Sequence, residues 1–465
     1  MTCSRSSGNF TSAKRASRRS FPCHRRDADS KADDGWWQGD FRLGTQAGTI
    51  AARPGKRSAF AAYMLAHGGK SLFWVASDLY FTFYMNEVCG IAPIVTGLVV
   101  GFSLLVAAIA DETFGRMLGA RVTTAAQAGR LQLGGGMASA VALLTFASVA
   151  FVPTALRVPA SIATLLLFRL TYAAIDVPQN ALLTLAASSG GDRTALVAGR
   201  NVVGGMARIT LSFLFIPVLA LQPPAAAATR FFGLAAAVAS SAILGSVVLA
   251  WVLHRRLAAG VAQPATGDAA ATRRLALWMF VASTGTTGFV QLEPYLATYG
   301  LITNTAGSSF ITAVAVGTVA SQPFWRLRAL RTPGRILSEA LLAMTAVAAI
   351  FPFMPLWGTI GAVIGGLLYG IVSGGLMFAL WSLLALTAAG PMTLAAHGRF
   401  SAAAKCGQGI STIAMGVILQ FLRDEALIHL GTVLAWLMAG VLIVTIVVLT
   451  FLSRRSRKEW TSAPD

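Results

Sequence analysis

The chain has 465 residues, 55% of them apolar and only 12% charged, and a formal net charge of +19. A soluble globular domain is about a quarter charged. A soluble enzyme, a disordered chain and a secreted disulfide scaffold are therefore disfavoured, and a polytopic membrane protein remains. The basic excess does not gather on one folded face, as a nucleic-acid binder would require; it lies between long apolar runs, as in the cytoplasmic loops of membrane proteins.

In chain order, residues 1–57 come first. They are Ser/Arg-rich, polar and aperiodic, with twelve Lys/Arg and five Asp. No apolar core of a secretory signal is present. The stretch reads as a disordered basic tail, or as a start codon set too early, with a regulatory or lipid-surface role as the alternative.

A bilayer core takes about 20 apolar residues as a helix. On that measure the rest divides into twelve spans: 58–90, 92–119, 129–153, 158–188, 199–222, 228–254, 274–300, 304–325, 336–355, 358–388, 400–422 and 427–453. The expected fold is an all-α membrane protein with twelve transmembrane helices in two six-helix halves. The halves are 58–254 and 274–453, joined by a polar central loop at 255–273 and followed by a tail at 454–465. Arginine-rich loops after the second and eighth spans echo one another, as two similar halves would. With the N-terminus in the cytoplasm, eighteen Lys/Arg of the loops and C-terminal tail fall inside and three outside. Lys/Arg bias sets orientation, so both termini are expected in the cytoplasm. The high Ala, Gly and Arg content suits a bacterial inner membrane. In the tenth span Gly361, Gly365, Gly366, Gly370 and Gly374 form a small-residue stripe. Such a stripe lets helices approach closely, with a hinge as the second reading.

No Walker A, Rossmann, HExxH or GxSxG motif is present, which disfavours an enzyme. The four cysteines, Cys3, Cys23, Cys89 and Cys406, show no metal spacing, and the five histidines are dispersed. No cofactor, metal, nucleic acid or obligate protein partner is expected; the partners are the bilayer and a small-molecule substrate.

Chemistry is sought among charges at bilayer depth, which are costly and face a partner or a water-filled cavity. The candidates are Lys70, Asp78, Asp111, Glu112, Arg169, Asp176, Arg208, Glu293 and Lys405. In the fourth span Arg169, Tyr172 and Asp176 share one face, at i, i+3 and i+7. Pro178 follows and frees backbone carbonyls, as in interrupted transporter helices. Asp176 is either a substrate or ion residue or the partner of Arg169. Lys70 and Asp78 share a face of the first span. Glu112 and Lys405 are near enough to span ends to snorkel.

These residues resemble, in order and spacing over nearly all of 58–453, the glycoside–pentoside–hexuronide:cation symporters, the melibiose permease branch of the major facilitator superfamily. The matching stretches are AYMLAHGGK at 62–70 running on to NEVCG at 86–90; Gly97, Asp111 and Gly115; YAAIDVP at 172–178 with GGDRT at 190–194 and Arg200; and KCGQG at 405–409. The resemblance implies that Asp176 and Arg200 help bind sugar. It implies that Asp111 binds the coupling cation with Asp176 close by, that Lys405 connects the two sites, and that Lys70 is the first-helix lysine. The departures are Ser71 for an aspartate, Leu104 and Ala107 for the helix-two arginine and first carboxylate, and Asn180 for an aromatic that contacts sugar. The acidic cluster after helix ten is also missing between Leu386 and Gly398.

The expected function is secondary active transport of a small polar solute (sugar, glycoside or uronide) by alternating access. Substrate binding is expected at Asp176, Arg200, Lys70, Tyr172 and Asn180, and cation coupling at Asp111, Asp176 and Lys405. Loss of a carboxylate favours H+ over Na+ as the coupling ion, because a desolvated carboxylate takes up a proton more readily. The rivals are an exporter of amphiphilic metabolites or drugs, with an apolar cavity and merely structural charges, and a non-transporting membrane scaffold or sensor acting through its basic tail.

Overall fold

The computed structural model describes residues 54–215, 218, 222–256, 268–297, 301, 304–332, 334–424 and 430–461. Most of the expected N-terminal tail (1–53), the centre of the middle loop (257–267) and the last four residues lie outside them. The described residues are helical and contain no strand. They form α1 (Pro54–Leu79), the short α2 (Phe81–Phe83) running into a π-helical segment (Tyr84–Val88), α3 (Pro93–Gly119), α4 (Ala125–Ala147), α5 (Thr154–Leu185), α6 (Gly190–Phe215) and α7 (Pro224–Arg256). After the central loop come α8 (Ala269–Tyr295), α9 (Asn304–Ala320), α10 (Gln322–Arg331), α11 (Ile336–Ile350), α12 (Gly358–Thr387), α13 (Thr393–Asp424) and α14 (Leu430–Thr461).

Local chemistry sets several boundaries. Thr124 and Gln127 make a reciprocal capping box, so α4 starts four residues before the first residue of the expected span. Asp268 accepts the backbone N–H groups of Ala270 and Ala271 and caps α8. Gly90 sits at φ +70° in the turn before α3, a conformation only glycine adopts freely. The eighth expected span is divided at Ser321 into α9 and α10. Pro178 does not interrupt its helix: α5 runs unbroken from Thr154 to Leu185. The polar site is therefore built from side chains there, not from an unwound backbone.

Among the described residues, seven stretches are long and apolar enough to cross a bilayer. They contain α3, α4, α5, α7, α8 and α14, with α11 and α12 falling in one of them. The expected twelve spans are not all reached on those grounds. The helix α9 is short, at 17 residues. The other three, α1, α6 and α13, carry ionisable residues within their length.

Of the glycine stripe of α12, Gly366, Gly370 and Gly374 face α9, whereas Gly361 and Gly365 face Met354 in the turn before α12. A Cβ at Gly370 would fall on the carbonyl oxygen of Val314, and one at Gly366 would lie 2.5 Å from that of Phe310. These backbones touch, so Gly370→Ala must push the two helices apart. Overpacking of this kind costs about 1–3 kcal/mol. We expect a lowered melting temperature for Gly370→Ala and an equal or raised one for Gly440→Ala, whose Cβ would meet nothing within 4 Å. Aromatic packing fixes the first helices: Phe81 lies 4.2 Å from Phe146 and Tyr84 lies 4.4 Å from Phe231, ring centre to ring centre.

Candidate functional site

A cavity of about 420 Å³ opens among α1, α5, α6, α8, α9, α12 and α13. At its base four helices deliver charge. Lys70 of α1 donates to Asp176 Oδ1 at 2.9 Å and to Asn180 Oδ1 at 2.7 Å. Lys405 of α13 lies 3.0 Å from Asp176 Oδ2 and donates to Asp111 Oδ2 at 2.6 Å. Asp176 thus holds two ammonium groups, and Lys405 holds two carboxylates. Lys70, Asp111 and Lys405 are each at most 4% exposed, and Asp176 is 7% exposed. Buried charges persist only when paired and hydrogen-bonded, and this chain of four meets that condition except at Asp111 Oδ1, which has no partner.

Asn180 lies one turn beyond Asp176 on α5. It donates to Asp176 Oδ1 at 2.9 Å and to Ser401 Oγ of α13 at 3.0 Å. Tyr172 lies one turn before, with the Lys405 ammonium 5.0 Å from its ring centre. Trp74 packs 5.7 Å from the Tyr172 ring and gives Lys405 a second aromatic face. Arg200 of α6 lies over the Trp381 ring of α12, its guanidinium carbon 3.8 Å from the centroid. Cation and ring attract through the ring quadrupole.

The structure therefore brings together Lys70, Asp111, Tyr172, Asp176, Asn180 and Lys405, with Arg200 on the same cavity wall. Asp111 is one step removed from the wall, behind Lys405. The alternative pairing of Asp176 with Arg169 is not formed. Arg169 instead donates to Ser103 Oγ at 3.3 Å and Ser77 Oγ at 3.1 Å, and lies against Trp74. Asp78 pairs with Arg208 at 3.6 Å. Glu112 does not snorkel freely: Arg399 of α13 donates to it through two nitrogens, both at 3.2 Å.

Sequence reasoning missed Trp381, Ser401, His67 and His397. His67 lines the cavity and stacks on Tyr63. His397 lies against Trp381 and within 3.2 Å of Thr184 Oγ1. A signal was present: His397, Ser401 and Lys405 recur every four residues, as do Asp176, Asn180 and Thr184. That spacing puts each trio on one helix face. Nearby, Thr184 donates to the Ala385 carbonyl at 3.2 Å, and Asn201 of α6 donates to Gln322 of α10 at 3.0 Å.

The family model described as MFS/sugar transport protein matches residues 60–457. The chain belongs to that family. It is a multi-pass membrane transporter of the major facilitator superfamily, and as a member of a transporter family it is not an enzyme. No curated protein matches the sequence. Among solved structures the fold is similar to the human organic anion transporter MFSD10, at 14% identity and a TM-score of 0.62, over 85% of this chain and 100% of that one. It is similar to the major facilitator superfamily transporter FucP in the outward conformation, at 12% identity and a TM-score of 0.58, over 84% and 99%. It is also similar to the proton:xylose symporter XylE, at 13% identity and a TM-score of 0.56, over 88% and 95%. At these identities the likeness is one of fold.

Proposed function

We propose that this transporter is a secondary active carrier of a small polar solute of the sugar, glycoside or uronide class, coupled to protons. Its helices α1–α7 and α8–α14 form two halves with twelve crossings, both termini cytoplasmic, in the inner (plasma) membrane. The carrying observation is the bridged chain Lys70–Asp176–Lys405–Asp111, which ties α1, α3 and α5 of one half to α13 of the other beside the cavity. Solute hydroxyls reaching Asp176, Asn180 and Arg200 compete for the same hydrogen bonds that hold the halves together. A proton arriving at Asp111 cancels its charge, loosens Lys405 and lets the halves separate. Sodium is the weaker candidate, because both carboxylates already hold ammonium groups that it would have to displace. The resemblance to the melibiose permease branch supports the same assignment of Asp176, Arg200, Asp111 and Lys405. Charges converging on the cavity favour this reading over an exporter with an apolar cavity.

The test is counterflow of radiolabelled sugars, glycosides and uronides in proteoliposomes. Exchange of at least one is expected; exchange of amphiphilic drugs alone would replace this reading by the exporter. Asp111→Asn should keep counterflow, which needs no net proton movement, and lose accumulation driven by an inside-alkaline gradient. Accumulation equal to that of the parent protein would remove Asp111 from coupling.

A further inference from the structure

Six charged side chains line the cavity: Lys70, Asp176, Arg200, Arg208, Glu293 and Lys405. Lys70, Asp176 and Lys405 are bridged, and Arg208 is paired with Asp78. Two are left over, and they have opposite signs. Neither the Arg200 nor the Glu293 side chain makes a hydrogen bond or ion pair among the described residues, and Arg200 Nη1 and Glu293 Oε1 are buried without a partner. Glu293, on α8, is only 3% exposed. The Tyr369 hydroxyl of α12 is also buried without a partner, faces the same cavity and lies within electrostatic reach of Glu293. Arg169, buried and without a carboxylate partner among the described residues, is satisfied by two serines and does not line the cavity.

An uncompensated buried charge is costly, and in a membrane protein such a charge marks a ligand path. The Arg208–Asp78 pair beside Glu293 does not relieve it, because Arg208 attracts the carboxylate while Asp78 repels it. One face of the Arg200 guanidinium is covered by Trp381, which leaves its N–H edge for an anion. A neutral solute leaves both charges unpaired, and an anion or a cation relieves one. Only a solute carrying both signs relieves both.

We propose that the cavity recognises a zwitterion, with an anionic group of the solute on Arg200 and an ammonium group on Glu293 and the Tyr369 hydroxyl. The proposal rests on the transporter reading and narrows its substrate class. Arg200 stands on α6 and Glu293 on α8, both lining the one cavity, so the two charges of the solute are carried by different groups of its skeleton.

One hexose skeleton supplies a matched probe set: glucose (neutral), glucuronate (anion), glucosamine (cation) and glucosaminuronate (zwitterion). Thermal shift of the purified full-length protein is titrated with each, since a ligand of the native state raises the melting temperature by mass action. Glucosaminuronate is expected to act at about tenfold lower concentration than either singly charged analogue. Glu293→Gln should erase its advantage over glucuronate and leave the glucuronate response unchanged. Arg200→Met should weaken both of those and spare glucosamine. A response to glucose or to one singly charged analogue equal to that of the zwitterion overturns the inference, and the comparison needs only the parent protein if a variant does not fold. Sugar counterflow with no zwitterion preference leaves the transporter reading standing and removes this one. Silence from all four probes overturns the inference whatever counterflow shows with other solutes.

Discussion

Asp176→Asn is expected to reduce counterflow in proteoliposomes to that of empty vesicles while leaving the protein folded and inserted. The substitution is nearly isosteric, and Asn180 can still be reached from the new amide. What disappears is the charge shared by two ammonium groups, Lys70 at 2.9 Å and Lys405 at 3.0 Å. Each hydrogen bond to a charged group contributes about 1.5–3 kcal/mol. The amide keeps one oxygen as an acceptor, so one of the two is lost outright, which corresponds to roughly one to two powers of ten in the population of the bridged state. Lys70 and Lys405 are then left as like charges without their shared carboxylate, and the floor of the cavity loses its register. Gel filtration and a melting curve control for misfolding. Full counterflow in the mutant would remove Asp176 from the mechanism.

The second large effect is on stability. Lys405→Met keeps much of the side-chain volume but takes away the partner that Asp111 Oδ2 has among the described residues. Asp111 is 0% exposed, and its other oxygen is already unpartnered. Breaking a buried pair by removing one member costs about 3–5 kcal/mol, because the survivor is left charged and desolvated. The melting temperature of Lys405→Met should drop sharply. Adding Asp111→Asn in the same chain should recover most of the loss, since no uncompensated charge then remains at that position. Two residues in direct contact are expected to be strongly non-additive. A double mutant as unstable as the single one would show that Lys405 stabilises the protein through packing against Tyr172 and Trp74, and not through its charge.

Depth in the apolar runs was enough to find Lys70, Asp111, Asp176 and Lys405, because charge at bilayer depth is costly and so stands out in a string of letters. Their partners were not legible in the same way. Asp176 shares a helix face with Arg169, but the structure gives it Lys70 from 106 residues upstream and Lys405 from a helix near the other end of the chain. Which face turns inward depends on how neighbouring helices pack, and no local pattern encodes that. Arg200 fell at the edge of an expected span; in the structure α6 starts at Gly190, so Arg200 stands three turns inside the helix and reaches the cavity. Neutral contributors such as Trp381 carry no charge cost and so do not stand out, and Ser401 is marked only by its four-residue spacing from Lys405. The fold was easier to read, since runs of apolar residues announce helices. The exceptions are informative, as at Ser321 and Pro178, where side-chain pattern says little about whether a helix breaks.

The helices that fall short of a fully apolar crossing include α1, α6 and α13, the ones that bring Lys70, Arg200 and Lys405 to the cavity. This has a consequence for how the protein is made. A nascent chain meets the translocon from its N-terminus, so α1 must leave the aqueous channel while Lys70 has no counter-ion, and that counter-ion arrives only with α5, 106 residues later. A lone ammonium in hydrocarbon is costly, so α1 is expected to rest at the lateral exit or the lipid interface until Asp176 emerges. The site that serves transport in the mature protein thus also dictates the order in which its helices can settle into the bilayer.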